Sequence, residues 1–449
     1  MRDPVRHGAT SRPDAAALVT GEATWTWADL DARVAAVAAR LADGPGRVAV
    51  RAETSPALVV WVLAALRARR LLIPLSTRWP DSAVDAVLAR LGLDLTEVAD
   101  VPPAGPASAA PDLDPDRLWT VVHTSGSTGA PKPIVHTVDN HLESAAGVIA
   151  HLGLRPGDRW LLDLPLYHVG GLGVVVRCAL AGAALAVPLR EMLARERVER
   201  LRPTHASFVA TQLLRLLDAG ADLSSLRAVL LGGSAIPAGL VERARQRGVP
   251  VSVSYGLTEM TSTVTATEPG GDAATSGRAL PGREVRVSSD GEIEVGGPCL
   301  GALLEEDAVQ PLGPWYPTGD LGALDPEGRL TVTGRRDLQF VSGGENVRPE
   351  AIEAALHALD AVAEAVVVPV PDAEFGQRPI AFVRPAPGHG LDPAALADAV
   401  RQSLPGFMVP AAFYDWPGSG GLKPDRPALA REAERRAAQA GGAGGAPGS

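Results

Sequence analysis

Apolar residues recur along this chain with two periods, and their alternation sets the expected elements. Leu30, Val34, Val37 and Leu41 share one helical face, behind Thr26 and Asp29 spaced as a capping box. Val48 to Val50 reads as a short strand, Pro56 opens a helix, and Leu71 to Leu75 reads as a second strand. The same β-α rhythm resumes with a strand at Leu118 to Val122 and a helical pattern from Val138 to Ala150 through Leu142, Ala146 and Ile149. It continues with strands at Trp160 to Leu164, Ala184 to Val187, Ala206 to Val209, Ala228 to Leu231 and Val251 to Ser254. Helices are expected at Leu172 to Leu180, Glu191 to Arg200, Gln212 to Leu217 and from Pro237. Such alternation predicts parallel sheets covered by helices, an α/β fold.

From Gly282 to Val332 the pattern changes to short strands and Gly/Pro turns, which predicts a small β subdomain. A second break falls at Thr333-Gly-Arg-Arg-Asp337. Beyond it a helix from Pro349, strands at Ala363 to Val370 and Ile380 to Val383, and a helix from Pro393 suffice for a compact α+β domain. The expected domains are therefore 1–336 and 337–436, with 437–449, rich in Ala and Gly, expected to be disordered. Residues 101 to 116, rich in Pro, Ala and Asp, read as a surface linker.

Composition narrows the function classes. The net charge of −10, without any run of Lys or Arg, argues against a nucleic-acid surface. Two cysteines, Cys178 and Cys299, supply no disulfide framework and fit a reducing, cytoplasmic setting. The N-terminus lacks the apolar core of a signal peptide, and the longest apolar run, Ala57 to Leu66, is too short to span a bilayer. Nothing in the composition decides between a monomer and a homodimer. Lys and Arg total 42, yet only Lys132 and Lys423 are lysine. Where arginine fills the generic surface roles, those two positions are singled out as needing a compact ammonium.

Lys132 ends the stretch His123-Thr-Ser-Gly-Ser-Thr-Gly-Ala-Pro-Lys132, read as a strand running into a loop that leads to a helix. Glycines at 126 and 129 clear side chains from backbone N–H groups, and Thr124, Ser125, Ser127 and Thr128 add hydroxyl donors for an anion. A Ser/Gly turn with a chance lysine is the plainer alternative, and the spacing is not that of a Walker A loop. Leu231-Gly232-Gly233-Ser234 and Ser254-Tyr255-Gly256-Leu-Thr258-Glu259 each follow an apolar strand, where open α/β folds collect ligands. Tyr255 and the glycines suit a flat base, Thr258 an α-phosphate, and Glu259 a Mg²⁺ ion. Tyr167-His168-Val-Gly170-Gly171 places a histidine before two glycines that would let a ligand approach the backbone. Arg177 follows on an apolar helix, where it must meet an anion or reach solvent. A salt bridge to a neighbouring acid is an equal alternative, and His205 and Ser207 are rival ligands. Asp320 of Tyr316-Pro-Thr-Gly-Asp320 and Lys423 would, taken alone, read as solvated turn charges.

Taken in order, these stretches resemble the adenylate-forming superfamily of acyl-CoA ligases, luciferases and peptide-synthetase adenylation domains, over residues 15 to 430. The resemblance implies ATP, Mg²⁺ and coenzyme A, and a mobile C-terminal domain pivoting at Asp337. It implies that Asp320, assisted by Arg335, accepts the ribose hydroxyls. By the same resemblance His168 lies beside the acyl pocket near the thiol's route, and Lys423 is the adenylation lysine. Ser342-Gly-Gly-Glu-Asn346 and Arg348-Pro-Glu-Ala-Ile-Glu353 look like the segment that enters the site for the thiol half-reaction. Pro133-Ile-Val-His136, Leu164-Pro-Leu-Tyr-His168, Thr204-His-Ala-Ser-Phe-Val-Ala-Thr-Gln-Leu213, Pro281-Gly-Arg-Glu-Val285 and Glu374-Phe-Gly-Gln-Arg-Pro379 look closer still to the 2-succinylbenzoate–CoA ligases of menaquinone synthesis. That substrate has a second carboxylate, for which Arg177, His205 and Ser207 are the candidates. Two departures stand out: Leu338 replaces the usual acidic or amide residue after the hinge, and proline follows Lys423 directly. Two readings compete with this one: another acyl-CoA ligase or carrier-protein loader, and a nucleotide-binding protein without catalysis. Retention of Lys423 argues against the last.

Overall fold

A computed structural model describes residues 2–99, 101, 112–124, 132–234, 236, 239–305, 308–372, 374–417 and 425–442. Two large sheets form the centre of the N-terminal part. In the nine-stranded sheet a parallel core runs Val251–Leu257, Ala228–Leu231, His205–Phe208, Arg159–Leu161, Ala184–Ala186, Ala16–Val19, with antiparallel strands at both edges. In the six-stranded sheet, Arg47–Arg51, Leu71–Leu75 and Leu118–Thr124 are parallel, whereas Lys132–Thr137, Ala302–Glu305 and Ala308–Pro311 add on antiparallel. The expected parallel sheets are present, each extended by antiparallel strands.

Apolar faces explain the layers. Trp160, Leu162, Ala228 and Leu230 face one core with the helices Pro56–Arg67, Val138–Leu152 and Val169–Ala181, while Leu161, Phe208, Val229, Leu231 and Val253 face another on the opposite side. Period-two alternation of apolar residues on both faces is what a sheet buried between helix layers requires. The capping box holds as expected: Thr26 Oγ accepts from Asp29 N at 3.1 Å, and Asp29 Oδ2 accepts from Thr26 N at 2.9 Å.

Several element bounds differ from expectation for local reasons. Between the loop ending in Lys132 and the next helix lies a strand, Lys132–Thr137, which pairs antiparallel with Leu118–Thr124. Trp160 to Leu164 shortens to Arg159–Leu161, since the chain turns ahead of Pro165, which has no N–H to donate. The helix expected at Glu191 begins at Ala194, where Glu196 accepts from Leu193 N at 2.9 Å and sets the first turn. The helix expected from Pro237 begins at Leu240, after Gly239 at φ 79°.

In the β subdomain, Glu284–Val287, Glu292–Gly296, Trp315–Leu324 and Leu330–Arg335 make a four-stranded sheet, while Ala302–Pro311 leaves it for the six-stranded sheet. The C-terminal part has its own core, in which Ile352, Leu356, Val367, Ala381, Val383, Val400 and Phe413 pack helices Pro349–His357 and Pro393–Ser403 on a three-stranded sheet. Its last helix runs Arg426–Gly442, so residues 437–442, expected to be disordered, are helical.

One buried ion cluster ties down the N-terminus. Arg67, 5% exposed, donates from Nε to Asp3 Oδ2 and from Nη2 to Asp31 Oδ1, both at 2.7 Å, and Arg6 reaches Asp31 Oδ2 at 2.8 Å. Removing the central cation would leave buried Asp3 without a cationic partner and Asp31 with Arg6 alone. Arg67→Met is therefore expected to lower unfolding free energy by about 3–5 kcal/mol. Urea denaturation of the two proteins checks this.

Candidate active site

The site collects where the parallel strands of the nine-stranded sheet end. Strand Ala228–Leu231 delivers Gly232, Gly233 and Ser234. Its neighbour, Val251–Leu257, runs further than expected: Ser254, Tyr255 and Gly256 lie within the strand, not in a turn beyond it. This strand pairs with Ser262–Ala266, and the 3₁₀ turn Thr258–Met260 forms the hairpin tip. Thr258 and Glu259 therefore project from a tight turn, closed by Thr261 at φ 56° and Ser262 at φ 142°.

Two tyrosines strap this hairpin to the β subdomain reciprocally. Tyr255 of the hairpin donates its hydroxyl to Asp320 Oδ2 at 2.6 Å, and Tyr316 of the subdomain donates to Glu259 Oε1 at 3.1 Å. Burial, reinforced by the carboxylate each phenol faces, pushes both phenols well above their usual range, so both remain donors. Asp320 Oδ1 also accepts from Arg335 Nη1 at 3.0 Å, and Arg335 grips Asp337 with Nε and Nη2 at 2.8 and 3.2 Å. One guanidinium thus joins the carboxylate expected to hold the ribose to the expected hinge. Glu350, from the first helix of the C-terminal part, accepts from Arg335 N at 3.1 Å.

Lys132 is exposed at the start of its strand, and Thr124 ends the paired strand opposite it. No ion pair of Lys132 occurs among the described residues. Ser125, Gly126, Ser127, Thr128 and Gly129, and also Lys423, lie outside the described residues. An acidic turn, an open ammonium and a carboxylate facing a flat aromatic suit a nucleotide. Among the described residues no group of three or more His, Cys, Asp or Glu side chains could hold a metal. A Mg²⁺ ion at Glu259 would therefore take its remaining ligands from phosphate oxygens and water, as that ion prefers.

The acyl side is built on the helix Val169–Ala181. His168 is its exposed N-cap residue, and its ring lies 4.6 Å from that of Tyr167. Gly170 and Gly171 belong to the first turn, and a Cβ on Gly171 would lie 2.2 Å from the Pro165 carbonyl oxygen, so the helix start packs closely on the preceding loop. Arg177 points into the protein, 1% exposed, its guanidinium 5.3 Å above the Trp160 ring. No carboxylate meets it among the described residues. Nη2 donates to Ser262 Oγ at 3.0 Å, and Nε has no partner there. Burial, with a smaller push from Arg283, drags this guanidinium down to about 9. The expected alternative of a salt bridge is therefore not met among the described residues.

His205 and Ser207 share the face of the sheet that carries Trp160, because Trp160 is the register partner of His205 and Ser207 is two residues on. They separate in role. His205 stacks on Trp160 at 5.4 Å, donates from Nε2 to the Leu152 carbonyl at 3.3 Å, and has Nδ1 2.9 Å from Thr204 Oγ. With both nitrogens engaged it is a packing residue, which corrects its expected ligand role. Ser207 Oγ is buried without a partner among the described residues. Sequence reasoning missed Ser262 and Tyr316. A strained Ser beside Thr-Glu carries no pattern of its own, and Tyr316 stood in a quoted motif without a role.

Two large sheets, with Tyr255, Glu259, Tyr316 and Asp320 joined at the end of one of them and a small α+β unit after Asp337, define a class. The chain belongs to the AMP-binding enzyme family, matching it over residues 5–98 and 92–304, with the family's C-terminal domain matched over 351–416. Within it the chain is similar to the 2-succinylbenzoate–CoA ligase of Escherichia coli, with 36% identity covering 96% of this chain and 98% of the relative. Among solved structures it resembles Escherichia coli MenE with bound OSB-AMS, at a TM-score of 0.88 and 34% identity, covering 97% of this chain and 99% of that one. It also resembles the o-succinylbenzoate coenzyme A synthetase (MenE) of Bacillus subtilis in complex with ATP and magnesium ion, at a TM-score of 0.81 and 26% identity, covering 96% and 99%.

Proposed function

We propose that this chain joins 2-succinylbenzoate to coenzyme A, consuming ATP and releasing AMP and pyrophosphate, as a step of menaquinone biosynthesis. The relatives named for this reaction match it nearly end to end. The single observation in this chain that carries the substrate reading is Arg177. A fully buried guanidinium with one unpaired donor, hydrogen-bonded to Ser262 beside the Thr258–Met260 turn, is the arrangement a dicarboxylic acid would complete. Ser207 Oγ is a second donor for the same distal carboxylate.

In the first step an oxygen of the succinyl carboxylate attacks the α-phosphorus of ATP, and the bond to pyrophosphate breaks. Thr258 positions the α-phosphate, Asp320 and Arg335 the ribose, and Tyr255 with Gly232, Gly233, Ser234, Ser254 and Gly256 shape the base site. Lys132 and the hydroxyl-rich loop of residues 124 to 129 receive the charge of the departing pyrophosphate, and Lys423 orients carboxylate and α-phosphate. Glu259 would hold the Mg²⁺ ion, which would supply further neutralisation of that charge. In the second step the C-terminal domain turns about Asp337. The thiol of coenzyme A, arriving past His168, then attacks the acyl carbon, and AMP leaves. Neither step needs a side-chain nucleophile. Two free buried cysteines fit the proposed cytoplasmic location, and among the described residues no helix is long and apolar enough to cross a membrane. The choice between monomer and homodimer is open to sedimentation.

The direct test offers a panel of carboxylic acids with ATP and either coenzyme A or a carrier protein as acceptor. The thioester of 2-succinylbenzoate with coenzyme A is expected as the preferred product. Faster turnover of a monocarboxylic acid, or transfer only to the carrier protein, would overturn the reading. Arg177→Met is expected to raise KM for 2-succinylbenzoate by about 10- to 150-fold, the loss of a charge-assisted hydrogen bond of about 1.5–3 kcal/mol, with KM for ATP nearly unchanged. A change within about twofold (roughly 0.4 kcal/mol) in the folded variant would remove Arg177 from the pocket. Lys423→Ala is expected to abolish adenylate formation while leaving thioester formation from supplied adenylate largely intact. Equal loss in both half-reactions would sink that assignment.

A further inference from the structure

Behind the Thr258–Met260 turn lies a polar chain that the mechanism above does not use. His136, Thr120 and His141 are all 0–2% exposed. His136 Nε2 lies 2.8 Å from the Thr258 carbonyl oxygen, His136 Nδ1 is 3.3 Å from Thr120 Oγ, and Thr120 Oγ is 2.8 Å from His141 Nε2. Chemistry assigns every proton in this chain. A carbonyl only accepts, so His136 carries its proton on Nε2. Complete burial holds both imidazoles neutral, which leaves His136 Nδ1 an acceptor for the Thr120 hydroxyl. That hydroxyl has one proton, so His141 Nε2 must donate to it. Three donors then point the same way and end on Thr258.

The chain spans two sheets. His136 and Lys132 sit four residues apart on one strand and hence on one face of the six-stranded sheet, whereas Thr258 and Glu259 belong to the hairpin of the nine-stranded sheet. The next carbonyl of the turn is held from the same side, because Gly301 N donates to Glu259 O at 2.8 Å. Gly301 must be a glycine here: a Cβ would lie 2.9 Å from His136 Cδ2. The six-stranded sheet therefore grips two consecutive carbonyls of the turn whose side chains face the nucleotide.

We propose that His136 is a positioning residue for adenylate formation, holding Thr258 and Glu259 in register with Lys132 across the two sheets. This rests on reading Thr258 and Glu259 as nucleotide residues, and it takes the thiol half-reaction as independent of them. Gln places a donor where His136 Nε2 sits, and Leu places none. His136→Leu is expected to weaken MgATP binding, read by titration calorimetry without any acid present, and to slow adenylate formation by roughly 10- to 100-fold. Thioester formation from supplied adenylate should stay within about twofold. His136→Gln should restore most of both losses, and Thr120→Val, which removes the middle donor, should fall between. A purely structural histidine would lower thermal stability and both half-reactions together, without rescue by Gln.

Equal behaviour of the Leu and Gln variants, or equal loss in both half-reactions, overturns the proposal. If the Leu variant does not fold, Gln and Thr120→Val decide it by the same comparison of half-reactions. Glu259→Gln serves as the control. If it binds MgATP as the unaltered chain does, the nucleotide reading itself fails and the positioning role falls with it. If it binds weakly while His136→Leu binds normally, only the positioning role is lost.

Discussion

The site depends on one contact between two sheets: the hold of the six-stranded sheet on the carbonyls of Thr258 and Glu259. Both sheets contribute to one apolar core, with Val48, Leu72 and Val122 of one and Trp160, Ala228 and Leu230 of the other, and each has a further core on its other face. A cleft between two such bodies would close or slide unless polar contacts fixed it, because apolar burial is non-directional. The histidine chain and the Gly301 amide supply direction. The tyrosine pairs Tyr255–Asp320 and Tyr316–Glu259 supply it on the other side, tying the same hairpin to the β subdomain. The hairpin tip is thereby held from two directions, which suits a turn that must meet a transition state without rearranging.

Three buried arginines show how the fold separates stability from function. Arg67 meets two carboxylates and anchors the N-terminal helix. Arg283 donates to the backbone carbonyls of Thr263 and Ser144 and joins two segments. Among the described residues Arg177 has only Ser262 and the face of Trp160. Desolvating a cation without an anion costs several kcal/mol, a cost that packing alone does not explain. The first two arginines are satisfied by the protein, whereas the third meets no carboxylate among the described residues.

The sequence by itself determined the elements whose apolar rhythm is local: Leu71–Leu75 and Ala228–Leu231 occur with the expected bounds, and Thr26 and Asp29 cap the first long helix as their spacing requires. It also singled out the stretches expected to carry chemistry, since a chain with two lysines and repeated strand-Gly turns marks those places by residue type. Only the tertiary structure decided the rest. The strand Lys132–Thr137 is six residues with a proline second, too short and irregular to declare its period, and it is a strand because Leu118–Thr124 offers it hydrogen bonds. The close approach of the Pro165 carbonyl to Gly171 could not be read from the pair of glycines. His205 and Ser207, two residues apart, had equal claims until stacking on Trp160 engaged one and left the other unpaired. Local pattern encodes which face a residue occupies; which partner waits on that face depends on residues distant in sequence, and the fold alone brings them together.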